Sequence, residues 1–419
     1  MKSMLCIFED EGFKKFLPLT YLRPVYDLQC GILTLQEKIS LHFPAKSIIL
    51  HSRKYLHDVL KERYTKFRIN EFDFPEILFV NGRIVLQDDY TKQILKLNNN
   101  SILFSQDGSV VAARLSFEKI KVLQNADSGL LNFDTIVNVT RTSSKIILAN
   151  YPWELVNLNG EEIRNDFRKL AKKSQNISAK KNRSVEFKNK KEIFVSGNAM
   201  IDPFVFLDAS NGPIYLGKNV HIMSNTFIQG PVFIGADSVI KSHASIYHNT
   251  SIGEVCKVGG EVESSIIHSY SNKQHEGFLG HSYLGSWINL GANTNNSDLK
   301  NNYSSVSVLT NGKPIDSGSQ FVGLIMGDHS KTAISTMFNT GTIVGVSCNI
   351  FGAGFPSRYL PSFSWGGSDF LKTYDINKSL EVAKTVMARR GILISENEIK
   401  LLKYIFEITA TERARKVDA

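Results

Sequence analysis

The stretch "LGKNVHIMSNTFIQGPVFIGADSVIKSHASIYHNTSIGEVCKV", residues 216–258, decides the fold. Taken every sixth residue it reads Leu216, Ile222, Ile228, Ile234, Ile240, Ile246, Ile252 and Val258, eight aliphatic residues in one phase. A period of six matches neither an amphipathic helix nor a half-buried alternating strand. It is the period of a parallel β-helix built from hexapeptides, where each hexad makes a short strand and a corner and sends its first residue inward. Three hexads close a triangular coil of about eighteen residues. Coils bury their apolar side only against neighbouring coils, so the core is a thin column of branched side chains. The beat extends upstream through Val195, Ile201 and Leu207, offset by the insertion "SNG" at 210–212. It resumes at Leu284 and Leu290, and more weakly at Met326, Thr332, Phe338, Val344 and Ile350.

A filled column has no interior pocket, so reactive groups belong on its outside, where rungs are interrupted. The repeat falters between about Ser264 and Gln320. There "GHSYLGSWINLGANTNNSDLKNN" (280–302) carries six asparagines, three glycines and one histidine. Asn and Gly tolerate the left-handed backbone of tight corners. Neutral amides also suit a sugar, because they donate and accept without demanding a counter-charge. Both readings stand for any single Asn here.

Residues 258–302 resemble the acetyltransferase half of the bifunctional N-acetylglucosamine-1-phosphate uridyltransferase / glucosamine-1-phosphate N-acetyltransferase family. The matching residues are Gly280-His281, Tyr283-Leu284-Gly285, Asn289-Leu290-Gly291-Ala292-Asn293-Thr294, then Asn295, Asn296 and Lys300. The resemblance is closer to a short, divergent branch of sugar nucleotidyltransferases. It implies a left-handed coil, a homotrimer and acetyl-CoA as acyl donor. His281 is then the general base, since an imidazole titrates near neutrality and can take a proton from the attacking amine. Tyr283, Asn289, Asn295 and Asn296 are expected to orient the sugar and Lys300 its phosphate. Gly323 and Lys331 are expected to contact acetyl-CoA. The family has one more residue between its His and Tyr, which leaves His275 as the alternative base. A phosphate-binding Lys of the family is replaced by Ser264 or Ser265, and an Arg by Tyr247 or His248.

The N-terminal part reads as α/β, with strand-like runs at 3–8, 47–51 and 77–82, a hairpin about Asp107-Gly108, and a helical exit at 152–173 interrupted near Gly160. "FLPLTYLRPVYDLQCGILTLQEKI" (16–39) resembles the opening of sugar-nucleotide pyrophosphorylases through Pro18-Leu19-Thr20, Arg23-Pro24 and Gly31. "YPWELVNLN" (151–159) resembles their exit helix. This implies a Rossmann-like nucleotidyltransferase domain acting on a sugar-1-phosphate and a nucleoside triphosphate (UTP or dTTP), with Mg²⁺. Lys15 and Arg23 are its expected nucleotide-binding cations. The departures are an acidic loop, "EDEGFKK" (9–15), Val25 in place of a lysine, and Arg83 in place of a metal-binding Asp. Asp88 and Asp89 lie nearby in sequence.

The expected division is a nucleotidyltransferase-like domain over 1–173, a basic linker over 174–192, a β-helix acyltransferase domain over 193–366 and a helical tail over 367–419. Residues 168–191 hold ten Lys/Arg and one acid, which accounts for the whole net charge of +9. The run lacks the interleaved aromatics of a single-strand nucleic-acid binder and reads as a solvated helix end and linker. No apolar run approaches the ~20 residues of a membrane helix. The four cysteines form no C-x-x-C pair, which fits reduced thiols and a cytoplasmic setting. Two other functional classes stay open: a carbonic-anhydrase-like zinc site from His221, His243 and His248 across a trimer interface, and a non-catalytic trimeric nucleotide-sensing scaffold.

Overall fold

The computed structural model describes residues 4–43, 47–123, 129–171, 184–310 and 312–414. Most of the basic stretch expected to form the linker, 172–183, lies outside the described residues.

Seven strands build the first sheet: β1 Met4–Phe8, β2 Ile48–His51, β3 Arg68–Ile69, β4 Glu76–Asn81, β5 Ser101–Phe104, β6 Val110–Ser116 and β7 Thr140–Ser143, in the order β3-β2-β1-β4-β6-β5-β7. The strand β1, "MLCIF", is buried along its whole length and pairs in parallel with β2 and β4. An apolar run without alternation is what a strand covered on both faces requires. The hairpin β5–β6 turns through Gly108 at φ +83°.

From Glu186 to Gly366 the chain winds as a parallel β-helix. Leu216 pairs with Ile234 and Ile234 with Ile252, while Ile222 pairs with Ile240 and Ile228 with Ile246. Each partner lies eighteen residues on, one coil, and all of these side chains are buried in one apolar column. The longest face has nine strands, from Ile193–Val195 to Tyr359–Leu360.

The faltering beat after Ser264 proves to be shorter rungs, not a departure of the chain from the coil. Ile252 pairs with Ile267 and Val258 with Lys273, fifteen residues on, and Ile267 pairs with Leu284, seventeen on. The true excursion comes later, between Leu299 and Phe321, which bridge each other. It holds the hairpin Ser307–Thr310/Lys313–Asp316. The short rungs place Lys273 in register with inward Val258. Its ammonium is buried, donates to the carbonyls of Gly259 (2.8 Å) and His275 (3.0 Å), and is lowered by desolvation to about 8.

The helix Pro152–Leu170 joins the two parts and is continuous through Gly160. That glycine serves an approach, not a break: a Cβ on it would lie 1.9 Å from Asn249 Oδ1 on the β-helix. Asn159 Nδ2 donates to the Asn249 carbonyl at 2.8 Å beside it. Two tail helices, Ile376–Ala388 and Glu396–Ile408, pack back on the first domain. The second opens with a Ser395/Glu398 capping box, and Arg63 pairs with Glu398 at 3.2 Å. Glu412 accepts from Tyr21 (2.7 Å) in the first domain and Tyr359 (2.9 Å) on the β-helix, so the tail clamps both.

Candidate functional site

Successive rungs turn through corner residues with positive φ. Asn219, Asn225, Asn249 and Asn293 take that role as expected, but so do Asp237, Val255, Tyr270, Trp287, His243, His281 and His329. A non-glycine residue in this region carries a strain that neighbouring structure must hold in place. His281 sits at such a corner with φ +45°. Its N–H donates to the Glu263 carbonyl (3.1 Å) one rung before, and its own carbonyl accepts from Gly323 N–H (2.9 Å) one rung after.

The His281 imidazole projects beside Asp298, with Nδ1 2.8 Å from Oδ2. The two side chains are 18% and 13% exposed, shielded yet reachable from solvent. Phe321 stacks on the imidazole with centroids 4.7 Å apart. Donation of Nδ1–H to the carboxylate fixes the tautomer and leaves Nε2 as the basic nitrogen. The same carboxylate stabilises the imidazolium once a proton arrives. Base plus orienting acid is the arrangement that general-base chemistry requires. Asp298 was missed by motif reading. Its signal is its distance, seventeen residues after His281, which is one rung.

Glycines make this corner. A Cβ on Gly280 would stand 2.2 Å from Asp298 Oδ2, and one on Gly323 would stand 1.9 Å from the Gly280 carbonyl. Gly323 is thus a close-packed spacer under His281. Asn296 is buried and clamps Gly280, accepting from its N–H (3.0 Å) and donating to its carbonyl (3.0 Å). Asn295 accepts from the Phe278 N–H at 2.7 Å. Lys300 follows Asp298 by two residues and donates to the Ser305 carbonyl at 2.6 Å.

The remaining expected residues lie elsewhere. Tyr283 is fully buried, and its hydroxyl donates to the Gln29 carbonyl (2.9 Å) of the first domain. Asn289 is exposed on another face, bridging Asn272 and Lys331. Lys331 donates to the His329 carbonyl (2.8 Å), and burial lowers it to about 8. Arg23 crosses to the β-helix, where its guanidinium meets Asp328 at 2.5 Å, His268 Nδ1 at 2.9 Å and Ser286 at 3.2 Å. Burial in this seam, with Arg23 adjacent, drives His268 well below its ordinary value. Arg23, His268, Ser286 and Asp328 line a cleft of about 620 Å³ between the first domain, the β-helix and the tail. Lys15 stays in the first domain and donates to Asn150 Oδ1 at 2.9 Å.

His275 is exposed, and its carbonyl takes Lys273 Nζ. His221 pairs with Asp202 (3.0 Å) and His248 with Glu263 (3.6 Å). Among the described residues, no three His, Cys, Asp or Glu gather as a metal site, and no helix is long and apolar enough to cross a membrane.

Residues 5–175 match the family model described as sugar nucleotidyl transferase. A bifunctional sugar-1-phosphate nucleotidylyltransferase/acetyltransferase of Sulfurisphaera tokodaii is 30% identical over 149 residues, 35% of this chain and 37% of its own length. The bifunctional protein GlmU of Methanocaldococcus jannaschii is 32% identical over 114 residues, 27% of each chain. The chain thus spans only 27–37% of the length of these curated relatives. Among solved structures, a UDP-N-acetylglucosamine acyltransferase of Francisella novicida aligns over 54% of this chain and 78% of its own, with 15% identity and a TM-score of 0.33.

Proposed function

We propose that this chain, whose residues 5–175 match the sugar nucleotidyl transferase family model, is a two-part transferase of sugar-nucleotide synthesis. The β-helix N-acetylates an amino-sugar phosphate from acetyl-CoA at the His281 corner. The first domain joins a sugar-1-phosphate to a nucleoside monophosphate taken from UTP or dTTP, releasing pyrophosphate. The two halves correspond to 193–366 and 1–173, joined by 174–192 and clamped by the tail 367–419, in a cytoplasmic homotrimer. The names of the relatives support both activities, and the observation that carries the acetyl half is the His281–Asp298 pair at 2.8 Å.

The chemistry follows from that pair. The sugar amine attacks the thioester carbonyl, so a C–N bond forms and the C–S bond breaks. His281 Nε2 takes the amine proton, and the departing thiolate can receive it back. Asp298 holds the ring in the tautomer that makes Nε2 basic and offsets the charge of the imidazolium. Phe321 covers one face of the ring and limits water there. Tyr283 and Arg23 drop out of the site and become anchors between domains.

Asp10, Asp88 and Asp89, the carboxylates next to Arg83 in space or in sequence, do not fit a protein-held Mg²⁺. Asp10 is taken by Arg83 at 2.6 Å, while Asp88 and Asp89 are highly exposed and pair with Lys169 (3.4 Å) and Lys92 (3.1 Å). No step is therefore assigned to a metal bound by these residues.

The test is a panel of amino-sugar phosphates with acetyl-CoA, and of sugar-1-phosphates with UTP and dTTP. Thiol release in the first series, lost in His281→Ala, is the expected outcome. A fully active His281→Ala enzyme rejects the acetyl assignment. No pyrophosphate from any pair in the second series rejects the nucleotidyl assignment.

A further inference from the structure

The first domain contains an anion site occupied by one of its own side chains. Asp10 follows β1 by two residues. Its Oδ1 accepts from Arg83 Nε at 2.8 Å and from the Gly12 N–H at 3.0 Å. Its Oδ2 accepts from Arg83 Nη2 at 2.6 Å and from Asn81 Nδ2 at 2.8 Å. The guanidinium is held from behind by the Ala149 carbonyl (3.0 Å) and Asn150 Oδ1 (2.9 Å), and Asn150 Oδ1 also receives Lys15 Nζ (2.9 Å). Two cations and two side-chain amides are thus linked in one network around a single carboxylate.

The burial of the two partners is unequal. The Arg83 side chain is 2% exposed and the Asp10 side chain 21%. The donors are fixed in the interior, and the acceptor is the part that meets solvent. Gly12 lies flat on the guanidinium: a Cβ there would come 2.3 Å from Nε, so any side chain at 12 would push Arg83 away. Neighbouring acids are committed elsewhere. Glu9 faces Arg53 (3.0 Å) and the Val25 N–H (2.8 Å), Glu11 turns outward to Lys14 (2.5 Å), and Glu154 accepts the Asn150 N–H (2.7 Å). A guanidinium fork binds carboxylate and phosphate with the same two parallel bonds.

We infer that this is a phosphate subsite, with Arg83 and Lys15 as its cations and Asp10 as a built-in competitor. A phosphoryl group of a nucleoside triphosphate or pyrophosphate displaces the Asp10 carboxylate and takes its place on the Arg83 fork. Arg83, not Arg23, is then the arginine that meets the nucleotide. The identity of the ligand rests on the nucleotidyl reading above, but occupancy of the site does not.

Inorganic pyrophosphate is the probe, with binding followed by calorimetry and thermal melting on the full chain. Asp10→Asn is expected to bind pyrophosphate at least ten-fold tighter than wild type, and its melting temperature should climb with added pyrophosphate while that of wild type stays put. Adding Arg83→Lys should erase the gain. If Asp10→Asn folds poorly because the guanidinium lacks an anion, pyrophosphate should restore its melting transition. No tightening and no restoration overturns the proposal, as does a gain that survives Arg83→Lys. Turnover is scored apart: wild-type nucleotidyl transfer with no effect of Asp10→Asn on pyrophosphate binding sinks this inference alone. Tightened pyrophosphate binding with no transfer by any variant sinks the nucleotidyl reading alone.

Discussion

Two histidines stand at corners of the same rod, in the same left-handed backbone region, and meet opposite fates. His281 (φ +45°) faces Asp298 and keeps contact with solvent. His329 (φ +61°) lies under the first domain, and desolvation, with Lys331 and Arg23 nearby, drives it to about 3. The rod supplies similar corners along its edges. The docked domain and tail bury the second imidazole, and that burial holds it neutral as packing.

The sharpest way to break this contrast is at the open corner. His281→Ala should lower kcat for acetyl transfer by about 10²–10⁴-fold, the usual worth of a positioned base, with an unchanged melting temperature. Asp298→Asn should give a smaller fall in kcat with the KM for acetyl-CoA unchanged. Equal activity in both variants would remove the distinction between the corners.

The covered corner is broken by Arg23→Ala. Its pair with Asp328 is buried, at 2.5 Å, so leaving that carboxylate unpaired should cost about 3–5 kcal/mol in denaturant unfolding. A stability close to wild type would show that the seam does not depend on this pair.

The docking itself is probed by Gly160→Ala. The added carbon meets Asn249 Oδ1, so overpacking of about 1–3 kcal/mol is expected. A neutral result would mean that the helix can back away from the rod.

The smallest effect is a pH slope. The unfolded chain protonates His329 below its ordinary 6.5, while the folded chain resists until about 3. Stability from this residue is therefore complete above 6.5 and lost as pH falls toward 3, by up to ~1.4 kcal/mol per unit. His329→Asn should flatten the wild-type slope of stability between pH 6.5 and 4. Parallel slopes would return His329 to the class of ordinary exposed histidines.

The two architectures were legible where physics imposes a period. The phase from Leu216 to Val258 survives because every inward position must be apolar, and those positions pair eighteen apart. Past Ser264 the rungs lose residues and the phase shifts, but counting by six from Leu284 through Leu290 lands on Asn296, which does point inward, in register with buried Phe338. Its polar side chain is why it reads as a sugar contact although it clamps Gly280. Tyr283 fails for a related reason, since only the docked domain reveals that its hydroxyl is used by Gln29. Arg23 finds its partner 305 residues away, a pairing that no local motif encodes. Asp298 needed a different ruler, the rung, in place of the hexad.

The anchors between the domains also act as a gauge of length along the rod. Asn159 grips the rung at Asn249, Tyr283 reaches Gln29, and Arg23 grips the rung at Asp328, so the first domain spans several storeys at once. Inserting one whole eighteen-residue storey after Ile252 would preserve the stacking yet lift everything beyond it by ~4.8 Å. The domain could then hold the lower grip or the upper ones, not all three. This rod is consequently not free to grow or shrink by duplication, as repeat proteins commonly do: its height is set by the body that leans on it.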